Sequence, residues 1–363
     1  MLIAFKYRLY PTKQQKVAIH FTLERCRLLY NRLLAERVIA YKAEGKSLNY
    51  YDQASTFNER KQYVPALKQV YSQVLQDVAK RLDKAFQAFF RRVKSGEAPG
   101  FPRFKPEQRY DSFTYPQGGH TINGNKLRLS KIGDVKIKLH RLPQGKVKTC
   151  TITAKNGKYY ACFSCVVNGE TLPASTDQVG IDLGLKHLAI TSAGETFEAP
   201  KRLRYKERKL KQLQRCVSRK QRGSNRRKKS IRILAKLHEK VANGRKNHAH
   251  KVSRQLVNRY GLIAFENLNV QGMLKNHHLA KSIADAGWNQ LVQYTLYKAE
   301  SAGRVVVRVD PRNTSQMCSN CGEFVKKTLS VRVHRCSCGY VEDRDVNAAR
   351  NILQRALEEW EAS

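Results

Sequence analysis

The sequence predicts a multidomain α+β protein: a small antiparallel β-barrel interrupted by a helical module, then an α/β domain with a small cysteine-rich insertion. Three observations predict it. Apolar residues recur with helical spacing from Thr12 to about Lys94, then at every second position up to Val167, then as short runs between long basic helices. Four cysteines cluster near the C-terminus with the spacing of metal ligands. A strand-like stretch at the start, Leu2 to Leu9, is closed by Pro11 and has no neighbour nearby, so its partners must lie far along the chain.

In the helical stretch Val17, Phe21, Leu28, Leu29, Leu33 and Leu34 make one apolar stripe, and Val74, Leu75, Val78, Leu82, Ala85, Phe86, Phe89 and Phe90 another, which predicts three or four helices. Glycine and proline in S-G-E-A-P-G-F-P-R-F-K-P, from Ser95 to Pro106, forbid any continuation. Strands are expected at Lys126 to Leu129, Val135 to Leu139, Val147 to Thr153 and Tyr159 to Val167, linked by turns such as Asn123-Gly124 and Asn156-Gly157. Cys162 and Cys165 share the last of these. Residues three apart on a strand point to opposite faces, so they read as core or surface thiols rather than a metal pair. Beyond Asp177 the runs V-G-I-D-L-G, Y-G-L-I-A-F-E-N and R-V-V-V-R-V-D alternate with helices, an α/β arrangement.

Of 363 residues 41% are hydrophobic, too many for a disordered chain. Lys and Arg number 69 against 29 Asp and Glu, a formal net charge of +40. Solubility needs only about 2 to 8 charges in a small domain. The excess is self-repulsive unless a polyanion neutralises it, so nucleic acid is the expected partner. Between Lys201 and Arg259 there are 23 Lys or Arg against two Glu, on two helices broken at Gln221 to Ser230. So one-sided a run favours a phosphate-tracking surface over a merely solvated face. Lys6 and Arg8 interrupt the only apolar run at the start, and no run approaches the ~20 residues of a membrane span. A cytoplasmic, nucleoid-associated protein is expected. In that reducing compartment, closely spaced cysteines suggest metal before disulfide.

Cys318, Cys321, Cys336 and Cys338 read C-S-N-C-G and, after a gap, C-S-C-G. Two such knuckles supply the four thiolates of a tetrahedral structural zinc, although the second is shortened to C-x-C. Gly322 and Gly339 let the backbone turn so that its amides can face the sulfurs.

Three acids stand at the ends or in the middle of expected core elements: Asp182 in V-G-I-D-L-G-L-K, Glu266 ending L-I-A-F-E-N-L, and Asp345 opening D-V-N-A-A-R-N-I-L. On a strand Asp182 shares a face with Gly180 and Gly184, small neighbours read as leaving room for a ligand, while Val179, Ile181 and Leu183 pack on the other side. Converging carboxylates take up protons or hold cations, and magnesium suits oxygen ligands. Taken singly, Asp345 reads better as a helix N-cap and Glu266 as a salt-bridge partner. Asp310, Asn313 and Ser315 precede the first knuckle, where a turn role is favoured over a place in the site.

G-I-D-L-G-L-K at 180 to 186, F-E-N-L at 265 to 268, T-S-Q-M-C-S-N-C-G at 314 to 322 and C-G-Y-V-E-D-R-D-V-N-A-A-R-N-I at 338 to 352 give the chain its family likeness. Over almost its whole length it resembles the transposon-encoded TnpB (OrfB)-type RNA-guided DNA endonucleases, relatives of the type V CRISPR effector nucleases. The resemblance implies a wedge-type β-barrel from 1–10 and 101–176, a helical recognition module at 11–100, a RuvC-like, RNase H-like nuclease domain from 177–311 and 342–363, and a zinc-finger insertion at 312–341. It implies that Asp182, Glu266 and Asp345 are the catalytic metal ligands. Two-metal phosphodiester hydrolysis is then expected, with Asp182 bridging two magnesium ions and Glu266 and Asp345 each completing one. It further implies a transposon-derived guide RNA, one protein per RNA, and a double-stranded DNA target whose short flanking motif is read by the helical module and barrel. Tyr51, Ser72 and Gln76 are candidates for that reading by position. The competing expectations are an RNA-guided DNA-binding protein or repressor that does not cut, and a zinc-ribbon RNA-binding protein whose acids are structural.

Overall fold

The first strand finds partners on both sides. In the computed structural model β1 (Leu2–Tyr10) is followed by helices α1 (Lys13–Glu44), α2 (Tyr50–Ser55), α3 (Phe57–Tyr63) and α4 (Ser72–Lys94). Then come β2 (Ser112–Tyr115), β3 (His120–Asn123), β4 (Lys126–Leu129), β5 (Gly133–Lys138), β6 (Lys146–Lys155) and β7 (Lys158–Val166). These elements belong to the first of two compact units, Met1–Asn168 and Gly169–Ser363. The structure describes residues 1–169, 171–328 and 330–362, with Gln108 described by its backbone alone.

The seven strands form one antiparallel sheet in the order β2-β6-β7-β1-β5-β4-β3. Its two outermost strands, β2 and β3, are consecutive in the chain and joined only by residues 116–119, so the sheet curls until its ends approach. The Tyr115 ring lies 6.2 Å from the His120 ring across that gap, and the Tyr115 hydroxyl donates to the Ser130 carbonyl at 2.9 Å. Along β1, Phe5, Tyr7 and Leu9 are buried and alternate with outward residues, as the period of two requires. The strands β4 to β7 lie within a residue or two of their expected positions. Strands β2 and β3 escape the sequence although β4 is no longer: K-L-R-L alternates charge with leucine, whereas H-T-I-N has a single apolar residue and S-F-T-Y is buried at three of its four positions. Cys165 is buried and Cys162 half-buried on β7, the opposite-face arrangement expected of them.

Helix α1 begins with a capping box: Thr12 accepts from the Gln15 amide, and the Gln15 side chain accepts from the Thr12 amide. Leu29, Leu33 and Leu34 of α1 and Val74, Leu75, Val78 and Leu82 of α4 share one core with the sheet. The buried Arg37 guanidinium ties α1 to its neighbours, donating to Gln53 of α2 at 2.8 Å and to Asp83 of α4 at 3.1 Å.

The second unit contains β8 (Gln178–Asp182), β9 (His187–Thr191), β10 (Thr196–Glu198), α5 (Arg202–Ser218), α6 (Asn225–Arg259), β11 (Leu262–Glu266), α7 (Val270–Met273), α8 (Ala280–Ala286), α9 (Trp288–Ala302), β12 (Val305–Val309), β13 (Val333–Arg335), β14 (Val341–Asp343) and α10 (Arg344–Glu361). Five strands form a mixed sheet, β10-β9-β8-β11-β12, in which β8, β11 and β12 run parallel. Its two faces are covered differently. Val179, Ile181, Ile263 and Phe265 pack with residues of α6 and α9, whereas Leu262, Ala264 and Val309 pack with Ile352 and Ala356 of α10. Helices α5 and α6 form the expected basic hairpin over a thin seam of Leu210, Val217, Leu234, Leu237 and Val241. Its tip is shorter than the expected break at Gln221 to Ser230, because Ser224 caps α6 by accepting from the Arg227 amide at 3.2 Å and Asn225 already begins the helix. Among the described residues, no helix is long and apolar enough to cross a membrane.

Gly180 corrects a reading of the sequence. It faces α10, and a Cβ there would lie 1.9 Å from the Ala349 carbonyl oxygen and 2.7 Å from the Leu353 amide. The glycine makes room for a helix backbone, not for a ligand. Gly184 is likewise confined by the turn, its Cβ position 2.9 Å from the His187 carbonyl oxygen. Because backbone cannot yield as a flexible side chain does, Gly180→Ala is expected to destabilise the chain by about 1–3 kcal/mol or more. Chemical denaturation reads this as a lowered midpoint, and an unchanged midpoint would mean that α10 does not seat on β8.

Candidate functional site

Period and register bring the acids together. Asp182 ends β8 on the Gly180 side, and Glu266 ends the adjacent parallel strand β11 one step beyond the last paired residues, Phe265 and Ile181. Both therefore lie on the face covered by α10, at the carboxyl ends of neighbouring strands roughly 4.8 Å apart. Helix α10 carries Asp345 in its first turn. Its N-cap is Asp343, which accepts from the Asp345 amide at 2.9 Å and the Val346 amide at 3.2 Å. The capping role open to Asp345 in the sequence is thus taken by Asp343, leaving the Asp345 carboxylate for other partners.

Proximity shows in the electrostatics. Burial, then the charges of Glu266 and Asp345, push the Asp182 carboxyl up to about 8, against the opposing pull of Arg344 and the Leu183 amide. Burial also raises Glu266, opposed by its hydrogen bond from Thr314 and by the Arg355 charge. The Thr314 hydroxyl donates to Glu266 Oε1 at 2.5 Å, so Glu266 is held by a hydroxyl rather than by the salt bridge open to it in the sequence. Asp345 is held by Arg344, whose Nε and an Nη donate to its Oδ1 at 3.2 and 3.1 Å, and by Arg332 at 3.7 Å.

The four cysteines also converge. Among the described residues they are the only group of three or more His, Cys, Asp or Glu whose ligand atoms all lie within 4.8 Å of one another, so the three carboxylates are more widely set. Cys318 and Cys338 sulfurs are 3.8 Å apart and those of Cys321 and Cys336 3.5 Å. Tetrahedral Zn–S bonds of about 2.3 Å would place sulfurs roughly 3.8 Å apart, so the tetrad can hold such a metal. Gly322 and Gly339 adopt φ of 79° and 83°, the turn conformation expected of them. The Tyr340 amide, helped by the neighbouring thiols and Asn320, outweighs desolvation and draws the Cys338 thiol down to about 6, supplying a thiolate at neutral pH.

Several residues that connect these groups carry no sequence signal of their own. Buried Asn347 and Asn351, one turn apart on α10, hold the loop before and at the first knuckle. Asn347 donates to the Met317 carbonyl and accepts from the Ser319 amide; Asn351 donates to the carbonyls of Thr314 and Met317. Asp310 is exposed and accepts from the Arg312 amide at 3.0 Å, and Asn313 adopts φ of 60°, both in the turn. Of the proposed DNA-motif residues, Tyr51 is 78% exposed on α2, and Ser72 and Gln76 lie one turn apart on the exposed side of α4, Ser72 accepting from Lys61 at 2.8 Å.

A strongly cationic chain with acids gathered at one edge of a mixed sheet and a separate four-thiol knuckle is built to act on a polyanion. The chain matches the family described as "Probable transposase" (OrfB, IS605 type) over residues 161–277, the associated "Helix-turn-helix domain" over 1–46, and the "Cas12f1-like, TNB domain" over 288–352. It is 35% identical, over 98% of its length and 89% of the relative's, to a "Putative RNA-guided DNA endonuclease" of Streptomyces pristinaespiralis. It is 34% identical, over 97% and 92%, to "Putative RNA-guided DNA endonuclease InsQ" of Escherichia coli K12. The chain belongs to this TnpB-like, IS605-type OrfB family. Its fold is shared with the solved mini-RNA-guided endonuclease CRISPR-Cas phi3, at 9% identity and a TM-score of 0.58, over 98% of this chain and 92% of that one.

Two measurements test the site. Cys336→Ser is expected to lower bound metal per chain and the melting temperature together, and unchanged metal content by elemental analysis would remove Cys336 from the ligand set. For Asp182, a carboxyl raised in the folded state stays protonated there while the unfolded chain ionises. The metal-free protein should therefore lose stability as pH rises from about 4 towards about 8. Without added magnesium, Asp182→Asn should flatten that dependence and melt higher at pH 8; the same slope in the variant would show that Asp182 is not its source.

Proposed function

We propose that the chain is an RNA-guided DNA endonuclease that hydrolyses target phosphodiesters with two magnesium ions held by Asp182, Glu266 and Asp345. The observation that carries this reading is the convergence of the three acids at one sheet edge, with Asp182 raised by burial and then by the charges of the other two, an electrostatic imbalance that divalent cations relieve. The residues present fit such ions. Magnesium bound there would supply activation of water and stabilisation of the departing oxygen. The chain's own contribution is orientation: Thr314 fixes the rotation of Glu266, and Arg344 with the Asp343 cap fixes Asp345 at the head of α10.

Such a site reads no bases, so the target is chosen by pairing with a bound guide RNA while the protein holds the heteroduplex by shape and charge. Family membership and the net charge of +40 support this. We read 1–10 and 101–176 as the wedge barrel, 11–100 as the recognition module and 177–311 with 342–363 as a RuvC-like nuclease domain. Residues 312–341 are the insertion carrying one structural zinc on Cys318, Cys321, Cys336 and Cys338. Tyr51, Ser72 and Gln76 are read as contacts to the flanking motif of double-stranded target DNA, met on the nucleoid in a prokaryotic cytoplasm.

Purification from a host carrying the native flanking DNA should yield one discrete RNA with a constant scaffold and a variable end; heterogeneous cellular RNA would sink the guided reading. With that RNA, Asp182→Ala is expected to abolish cleavage of a matched target and leave its binding intact. Continued magnesium-dependent cutting would exclude Asp182. If the wild type binds the matched target and never cuts it, a guided repressor replaces the nuclease. Thr314→Val should slow cleavage about 10–100-fold and raise the magnesium concentration required, with Thr314→Ser restoring both. An unchanged magnesium requirement would deny Thr314 its positioning role.

A further inference from the structure

The links that follow the two acid-bearing strands fold over the same end of the sheet. Residues 183–186 follow Asp182, and the segment containing α7 and α8 follows Glu266. Together with the start of α5 they enclose a cavity of about 470 Å³ whose rim carries Lys186, Lys201, Arg204, His277, His278 and Lys281. Its one acid, Asp285, is already consumed: it accepts from the Leu203 amide at 3.0 Å and from Arg245 at 2.7 Å. The Leu203 amide in the first turn of α5 is therefore satisfied from within, and the pull on an anion comes mainly from the side chains. Lys281 is paired with Glu207 at 2.7 Å. Among the described residues, Lys186, Lys201 and Arg204 have no carboxylate partner.

Unpaired cations brought round one concavity repel each other and focus a positive potential into it. Lys186 stands four residues beyond Asp182, on a link held by the Trp288 indole donating to the Gly184 carbonyl at 3.1 Å. A charge seated there is thus fixed relative to the carboxylates. Lys201 is held at φ of 37°, a conformation rare for a residue with a side chain, at the entry to α5.

We propose that this cavity is a seat for backbone phosphates of the DNA strand being cut, setting the path of that strand past the carboxylates. The proposal rests on the endonuclease reading of the neighbouring acids. Phosphates of the guide RNA share the chemistry, but the cavity, on the α6 side of the sheet, opens at the sheet end where the carboxylates of the α10 side also stand, which favours the strand they act on.

The test uses the RNA-bound protein without added magnesium, where binding is read without cleavage and the thiol knuckle keeps its metal. Matched target DNA carries a single neutral methylphosphonate linkage, moved one position at a time along the strand to be cut. Neutralising one or two adjacent positions should weaken wild-type binding several-fold. The double variant Lys201→Ala, Arg204→Ala should lose sensitivity at those positions alone, and its slope of log affinity against log salt should fall by about 2. A charge-matched control at the hairpin, Lys228→Ala with Lys229→Ala, removes the same charge from the phosphate-tracking surface and should weaken binding while keeping the sensitivity at those one or two positions. An unchanged pattern in the Lys201 and Arg204 variant overturns the seat. Loss of co-purified RNA in that variant also overturns it, assigning the cavity to the guide. Should the wild type fail to cut with magnesium, the nuclease reading falls while the interference pattern still decides the seat.

Discussion

Helix α10 lies so close to strand β8 that one methyl group at Gly180 would overlap the Ala349 carbonyl. This contact sets the second unit's chemistry, because it holds the first turn of α10 over the carboxyl ends of β8 and β11. A sheet alone can place Asp182 beside Glu266, since both end adjacent parallel strands on one face. The third carboxylate must come from an element crossing that face, and its distance is fixed by how closely helix and sheet backbones approach. A larger residue at position 180 would lift α10 and with it Asp345. The Ile352 and Ala356 side chains, buried against Leu262, Ala264 and Val309, keep the helix down.

The thiol knuckle and the acids are mechanically joined through the same helix. Asn347 and Asn351 are buried amides, and a buried amide left unpaired is costly, so each fixes the backbone it bonds. They hold Thr314, Met317 and Ser319, and Thr314 in turn orients Glu266. Among its described residues the segment carrying the four cysteines has the short hairpin β13 and β14, a bridge between Met317 and Phe324, and little apolar core. A metal held by the thiolates would therefore support the loop that presents Thr314, and so would couple the knuckle to the orientation of a carboxylate some way off.

Charge imposes a second constraint of opposite sign. A net charge of +40 is tolerable only when a polyanion screens it, and the α5–α6 hairpin concentrates this in one place. Its apolar seam is narrow, five buried residues, and outside that seam and the later part of α6 that packs on the sheet the hairpin is free to present lysine and arginine. The cluster of acids is the counterpart: a local negative site within a positive molecule.

Much of this was legible in the sequence, for physical reasons. Periods of 3.6 and two are local properties, so the helical module, strands β4 to β7 and the basic hairpin could be read directly, as could the cysteine spacing with its positive-φ glycines. The isolated first strand announced distant partners without naming them. Strands β2 and β3, as long as β4, lacked its alternation of charge and leucine. Tertiary structure alone decided what Gly180 is for, since a glycine that admits a ligand and one that admits a helix look the same in one dimension. It also gave the cap of α10 to Asp343 rather than Asp345, and gave Glu266 a hydroxyl partner in Thr314 rather than an arginine. Residues so distant in sequence meet only because the sheet and α10 bring them together, and spacing along a chain does not encode a meeting across the core.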